Sequence, residues 1–210
     1  MLIGLDFDNT LVAYGHAFRD LAVELGLAEP SILPNKTAVR AQVRKRHDDI
    51  AWQRLQATIY GPEIGRGELM AGAGNFITGC RDRGINLVIV SHKSEFASLY
   101  KNCEPDGHNL RTAALGWMEA NGFFLPVCSG GFGFSPGDVF FEAKRSEKIA
   151  RINRLDCAVF VDDLPEVLTH ADLNPRVRRI LLGDEPGDAD GCELVGPWAA
   201  ITRHLLGRNS

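Results

Sequence analysis

The stretch Met1-Leu-Ile-Gly-Leu-Asp-Phe-Asp-Asn-Thr10 decides the fold. Leu2 to Leu5 is an apolar run with no polar alternation. A strand covered on one face alternates, whereas a strand of a parallel sheet is covered on both faces and does not. The run ends abruptly in Asp6 and Asp8, with Thr10 two residues further on. Residues two apart in an extended chain point to the same side. Two carboxylates therefore share a side at the carboxyl end of a buried strand, where open α/β sheets place their ligands. Like charges that close repel, and a proton or a cation has to relieve them. Mg2+, a hard cation that takes oxygen ligands, meets that need. The alternative is a surface turn with solvated aspartates, which an all-apolar strand rarely precedes directly.

The rest of the composition sets broad bounds. A chain of 210 residues with 45% hydrophobic and 24% charged content suits one globular domain with a small appendage. Its net charge of −4 argues against a protein that coats nucleic acid. The five cysteines (80, 103, 128, 157 and 192) are widely spaced and form no C-x-x-C, so a reducing cytoplasm is expected rather than a disulfide framework. No basic-then-apolar leader opens the sequence, and no apolar run reaches the ~18 residues that suggest a membrane span. The expected partner is therefore a small molecule, with neither nucleic acid nor membrane involved.

Beyond Thr10, apolar spacing predicts a helix over 17–25 that stops at Gly26, then a proline-bearing loop over 28–35. A longer helix is expected over 36–59, with Val39, Val43, Ile50 and Leu55 on one stripe. Its basic residues Lys36, Arg40, Arg44, Lys45, Arg46 and His47 form either a solvated face or a lid for an anionic substrate. A helix over 68–83 ends at Gly84, and a second buried strand, 85–90, runs into Ser91-His92-Lys93. A hydroxyl just past a strand can donate to a phosphate oxygen; it can equally cap the next helix. A helix over 109–121 follows, then a loop over 128–137 whose glycines either close over the site or merely connect. Next come a short strand over 138–141 and a helix over 145–155.

A second acid-tipped strand then appears, Cys157-Ala-Val-Phe-Val161 followed by Asp162 and Asp163. Alone, this pair reads equally well as a turn before a helix. Together with Asp6 and Asp8, two parallel strands tipped with acids would converge on one cation. A fifth strand over 177–182, an acidic loop over 183–190 and a terminal helix over 198–206 complete the chain. Strands alternating with helices predict a doubly wound, Rossmann-like α/β fold with a parallel sheet of about five strands.

The order of strand-tip residues resembles the haloacid dehalogenase superfamily of phosphohydrolases. Asp6-Phe-Asp-Asn-Thr-Leu11 matches its first motif, Ser91 its second, a lysine ahead of the fourth strand its third, and Asp162-Asp163 its fourth. The resemblance covers roughly residues 1–182. It implies a catalytic core of 1–13 and 67–210, with 14–66 as a small helical cap inserted after the first strand. It further implies a Mg2+-dependent phosphatase acting through an aspartyl-phosphate. Asp6 would be the nucleophile and Asp8 the general acid and base. Mg2+ would be held by Asp6, the backbone carbonyl of Asp8, and Asp162 or Asp163. Members that cleave carbon–halogen bonds lack an acid at the position of Asp8, so Asp8 points to phosphate esters.

Ser91 and one lysine would bind the phosphoryl oxygens. Lys148 and Lys144 both compete for that role. A helical side chain leans toward the amino end, and Lys148 lies four and seven residues before Ile152 and Leu155, beside the buried face. Lys148 is therefore expected to reach the strand tips, with Lys144 in a freer capping position. Asn9, Thr10, His92, Lys93 and Lys144 are candidates for substrate contact, His92 and Lys93 being alternatively exposed residues of a helix start. A phosphorylated sugar or similar metabolite is the expected substrate. A phosphotransferase or mutase of the same superfamily is the second reading. A non-catalytic receiver-like module is the third, although receivers carry their phosphorylated Asp on a later strand.

Overall fold

The computed structural model describes residues 1–97, 108–183 and 189–207. Its strands are β1 (Leu2–Leu5), β2 (Val12–Ala13), β3 (Glu68–Leu69), β4 (Asn86–His92), β5 (Val139–Glu142), β6 (Val159–Asp162), β7 (Arg178–Leu182) and β8 (Leu194–Gly196). Six of them form one sheet in the order β5-β4-β1-β6-β7-β8, while β2 and β3 pair separately. Every ladder of the large sheet is parallel. The sheet thus has one strand more than expected. The addition is β8, only three residues long and too short to show a period in sequence.

β1 sits in the middle of the sheet, between β4 and β6, which is why its run is apolar throughout. Gly4 lies opposite Phe160 of β6, and Leu5 opposite Ile89 and Val161. On the face shared by Gly4 and Asp6, Val88, Val90, Phe160 and Leu181 pack with residues of two helices. These are α6 (Arg145–Arg154), which supplies Ile149 and Ile152, and α7 (Pro165–Leu168), which supplies Val167 and Leu168. Helices α4 (Ala73–Arg81) and α8 (Trp198–Leu206) pack on each other through Phe76 and Trp198, whose ring centres are 4.9 Å apart. Helix α4 begins only at Ala73, after Gly72 with φ of 87°, because residues 68–69 form β3 instead of the first turn expected there.

The glycine-rich loop enters β5 at its amino end, opposite to the strand tips that carry Asp6 and Asp162. Its Phe132 and Phe134 pack on Phe123, and the Phe132 carbonyl accepts from Arg81 Nε at 3.0 Å. A parallel sheet puts this loop at the wrong end to close over those tips. The acidic loop expected over 183–190 lies largely outside the described residues, as does Cys103.

The chain forms two compact units. The first comprises Met1–Leu11, Leu69–Lys93 and Glu119–Ser210, and holds the six-stranded sheet. The second comprises Val12–Glu68 and Ser94–Met118. It thus takes a segment, Ser94–Met118, that the sequence reading left with the sheet. Its helices are α1 (Gly15–Glu24), α2 (Lys36–Arg46), α3 (Asp49–Tyr60) and most of α5 (Leu110–Ala120). Its core is aromatic: Phe18 stacks on Trp52 at 5.2 Å, and Tyr60 meets Tyr14 and Phe18 edge-on at 4.9 and 5.7 Å. The single helix expected over 36–59 is two helices. Asp48 caps the second, its carboxylate accepting from Ala51 N at 2.6 Å, and such a cap competes with helix continuation. Ile50 is consequently half exposed, off the stripe assigned to it.

Candidate active site

Asp6 and Asp162 are brought together by register. Leu5 pairs with Val161, so the residues that follow them, Asp6 and Asp162, lie side by side, and Asp6 N donates to Val161 O at 2.9 Å. In-register residues of parallel strands share a face, so both carboxylates meet α6. There Lys148 lies on the second turn with its side chain 1% exposed. Its Nζ is 2.6 Å from both Asp6 Oδ1 and Asp162 Oδ2. The ammonium also sits 5.3 Å from the centre of the Phe160 ring. Lys144, by contrast, is the residue before α6. Its side chain is 75% exposed and its ammonium lies 3.7 Å from Glu147. The geometry brings Lys148 to the acids and leaves Lys144 outside.

The turn after β1 depends on Asn9, whose φ of 60° lies in the left-handed region that asparagine tolerates better than most residues. The turn closes with Leu11 N donating to Phe7 O at 2.9 Å. It aims the Thr10 hydroxyl back at the acids, 3.3 Å from Asp6 Oδ2 and 3.4 Å from Asp163 Oδ1. Trp198 Nε1 holds the Thr10 carbonyl at 2.9 Å. Asp162 Oδ1 accepts from Leu164 N at 2.9 Å, fixing the turn that presents Asp163.

Asp8 has a different neighbour. Its carboxylate faces Lys93, whose Nζ is 2.8 Å from Oδ2 and 3.2 Å from Oδ1. Lys93 is buried, although its sequence position suggested either a pocket residue or an exposed helix start. Ser91, two residues earlier on β4, is buried beside β1. His92 is exposed, with its Nε2 3.1 Å from the Ala143 carbonyl beyond β5. The pairing of Lys93 with Asp8 is the feature of this site that the sequence reading missed. Its signal was a lysine just past a buried strand, but pairing it with Asp8 requires knowing that β4 lies beside β1.

The electrostatics of the cluster are those of too few cations. Burial works against the charge of Lys148, yet Asp6 and Asp162 outweigh it and hold its pKa above the ordinary lysine range. Burial first, and the charge of Asp6 next, push Asp162 well above the usual carboxylate range despite Lys148. One ammonium cannot neutralise two buried carboxylates. One oxygen each from Asp6, Asp162 and Asp163 lie within 4.8 Å of one another. Carboxylate oxygens in that arrangement fit a hard divalent cation, and its charge would make good the deficit.

No family model matches this chain, and no curated protein matches it. Solved structures do. A phosphatase described as a predicted phosphoglycolate phosphatase, from Haemophilus somnus, superposes with a TM-score of 0.53 at 12% identity, covering 97% of this chain and 96% of that one. A haloacid dehalogenase hydrolase of family IA, variant 3, from Entamoeba histolytica gives 0.52 at 15% identity, over 98% and 97% of the two chains. A haloacid dehalogenase superfamily hydrolase from Ehrlichia chaffeensis gives 0.50 at 12% identity, over 97% and 94%. The chain has the haloacid dehalogenase fold. Within that fold, Asp6, Lys148, Asp162 and Asp163 gather at the carboxyl ends of the central strands of the parallel sheet, the end where such sheets hold ligands.

Proposed function

We propose that this protein is a Mg2+-dependent phosphomonoester hydrolase that works through an aspartyl-phosphate on Asp6. The observation that carries this reading is the meeting of Asp6, Asp162 and Asp163, the first two bridged by a buried Lys148. Phosphoryl transfer asks for positioning and neutralised charge more than for covalent chemistry, and this cluster offers both. Asp6, Asp162 or Asp163, and the Asp8 carbonyl would hold the cation. When bound, Mg2+ supplies positive charge to the oxygens of the transferring phosphoryl group.

The side chains divide the remaining work. An Asp6 carboxylate oxygen attacks phosphorus as the ester P–O bond breaks, and Asp8 gives its proton to the departing alkoxide. Asp8 then takes a proton from water as the water oxygen attacks phosphorus. Inorganic phosphate leaves, and the Asp6 carboxylate is restored. Lys148 and Ser91 bind the equatorial oxygens. Asn9 and Thr10 shape the turn that holds the phosphate, and His92 lies at the exposed rim. The helical unit inserted after β1 serves as the cap that selects a small phosphorylated metabolite, a sugar phosphate being the favoured class. Among the described residues no helix is long and apolar enough to cross a membrane, and four cysteines are unpaired. A cytoplasmic place for the protein is part of this reading.

Phosphate release from 4-nitrophenyl phosphate, with and without Mg2+, tests the reading. Turnover should require the metal, vanish in Asp6→Asn and fall steeply in Asp8→Asn, which loses the base that frees the phosphoenzyme. Undiminished activity in Asp6→Asn would remove the nucleophile assignment. A panel of sugar phosphates together with phosphoglycolate, the substrate in one neighbour's description, then addresses the leaving group.

A further inference from the structure

Two lysines are buried in the sheet unit, and each is joined to one acid of the Asp-x-Asp pair. Lys148 takes Asp6, and Lys93 takes Asp8. The second pairing has features that a surface ion pair lacks. The Lys93 side chain is 3% exposed and Asp8 is 18% exposed. A long side chain with many rotamers is thus held in one path, its ammonium 5.7 Å from the centre of the Phe7 ring. Its base is fixed too, since Lys93 N donates to the Glu142 carbonyl of β5 at 2.9 Å. Asp8 lies beyond the last residue of β1, at a β-bridge immediately before the left-handed Asn9. Its carboxylate still turns about two side-chain torsions of its own, and an acid misplaced by about 1 Å can lose about 100-fold in rate.

We infer that Lys93 is the positioning residue of Asp8, holding its carboxylate where the leaving-group oxygen departs. This rests on the reading of Asp8 as the proton donor in ester cleavage. Lys93 then acts through the Asp8 carboxylate, with no bond of its own to the leaving group. Its removal should matter in proportion to how much the leaving group needs a proton. Phenoxide leaves poorly without one, whereas 4-nitrophenoxide leaves well.

The experiment compares kcat/KM for phenyl phosphate and 4-nitrophenyl phosphate, in Mg2+, for the wild type, Lys93→Met, Asp8→Asn and the double variant. This quantity reports events up to the first irreversible step, here formation of the phosphoenzyme. Lys93→Met should lose about 100-fold on phenyl phosphate and less than about 10-fold on the nitrophenyl ester. The double variant should be no worse than Asp8→Asn on phenyl phosphate, because the two residues act as one. Lys93→Arg keeps the charge with a different reach, so it should recover part of the loss and provides the same comparison if the methionine variant does not fold. Equal losses on both esters, or a raised KM with unchanged kcat on both, overturn the inference. The first outcome marks a residue that only supports the fold, the second one that holds substrate. Wild-type protein that releases phosphate from neither ester overturns the phosphatase reading itself, which is a separate and recognisable result.

Discussion

Gly4 leaves the space on which the site is built. A methyl group there would lie 2.5 Å from Phe160 Cδ2 and 3.1 Å from Cys157 Sγ. The Phe160 ring fills that space, and the Lys148 ammonium rests over the ring while it bridges Asp6 and Asp162. Gly4→Ala should therefore act twice. Overpacking should destabilise the protein by about 1–3 kcal/mol, seen as a lower urea midpoint. Displacing Phe160 should also reduce phosphatase activity beyond what the lost stability explains. The lysines allow a second comparison at this scale. Lys148→Met removes the charge between two carboxylates and should lower turnover at least about 100-fold. Lys144→Met, at an exposed site, should stay within a few-fold of wild type in the same phosphate-release assay. A crippled Lys144→Met enzyme with an active Lys148→Met would reverse that assignment. Lys148 could be picked out in the sequence because helical side chains lean toward the amino end and its neighbours at +4 and +7 are apolar. Gly4 drew no attention, because a glycine inside an apolar run shows its purpose only when the facing strand is known.

At the scale of elements, long periodic segments were readable and short ones were not. Helices α5, α6 and α8 fall within a residue or two of the expected ranges, since each carries several turns of apolar spacing. The break between α2 and α3 was missed because Asp48 and Asp49 sit inside a stripe that continues at helical spacing on both sides. Strand β8 was missed because three residues cannot display a period. It is held at the sheet edge partly by side chains. Glu193, just before it, accepts from Arg178 of β7 at 2.8 and 2.5 Å, and His204 of α8 lies 2.6 Å away. The hydrogen bond from Arg178, more than any other contact, lowers the Glu193 pKa from 4.5 to about 2. A carboxyl depressed in the folded state binds fewer protons there than in the unfolded chain. Its contribution is full above pH 4.5 and is lost as pH falls from there to about 2. Glu193→Gln should therefore lower the thermal midpoint at pH 7 and flatten its fall across that window. Glu193 is 35% exposed, so water screens the pair and the shift should be modest. Identical midpoint-versus-pH curves for variant and wild type would remove this clasp from the account of β8.

For the whole molecule, the meeting of the acid-tipped strands was legible in the sequence, whereas the return of the chain to the second unit was not. The second unit draws on Val12–Glu68 and again on Ser94–Met118, and the acids of the site come from strands more than 150 residues apart. Local pattern carries no record of that return, whereas the strand-tip acids announced themselves because each ends an apolar run. The resulting cluster bears on the stability of the entire fold. Asp6 and Asp162 share one ammonium and Asp163 lies close beside them, so the folded state holds like charges together that the unfolded chain keeps apart. A divalent cation that binds only the folded arrangement stabilises it by mass action, about 2.7 kcal/mol at 100 times its Kd. Each kcal/mol raises the midpoint of a chain this size by about 2–4 °C. Millimolar Mg2+ should therefore raise the thermal midpoint by several degrees, and a chelator should reverse the rise. Asp162→Asn and Asp163→Asn relieve the repulsion and remove a ligand at once. Without metal, each should melt at or above the wild-type temperature, and the gain from Mg2+ should shrink or vanish. The readout needs no substrate, so it examines the metal site independently of catalysis. A midpoint indifferent to Mg2+ in the wild type would mean that Lys148 and a proton on Asp162 already satisfy the cluster, and the metal would have to be dropped from the mechanism.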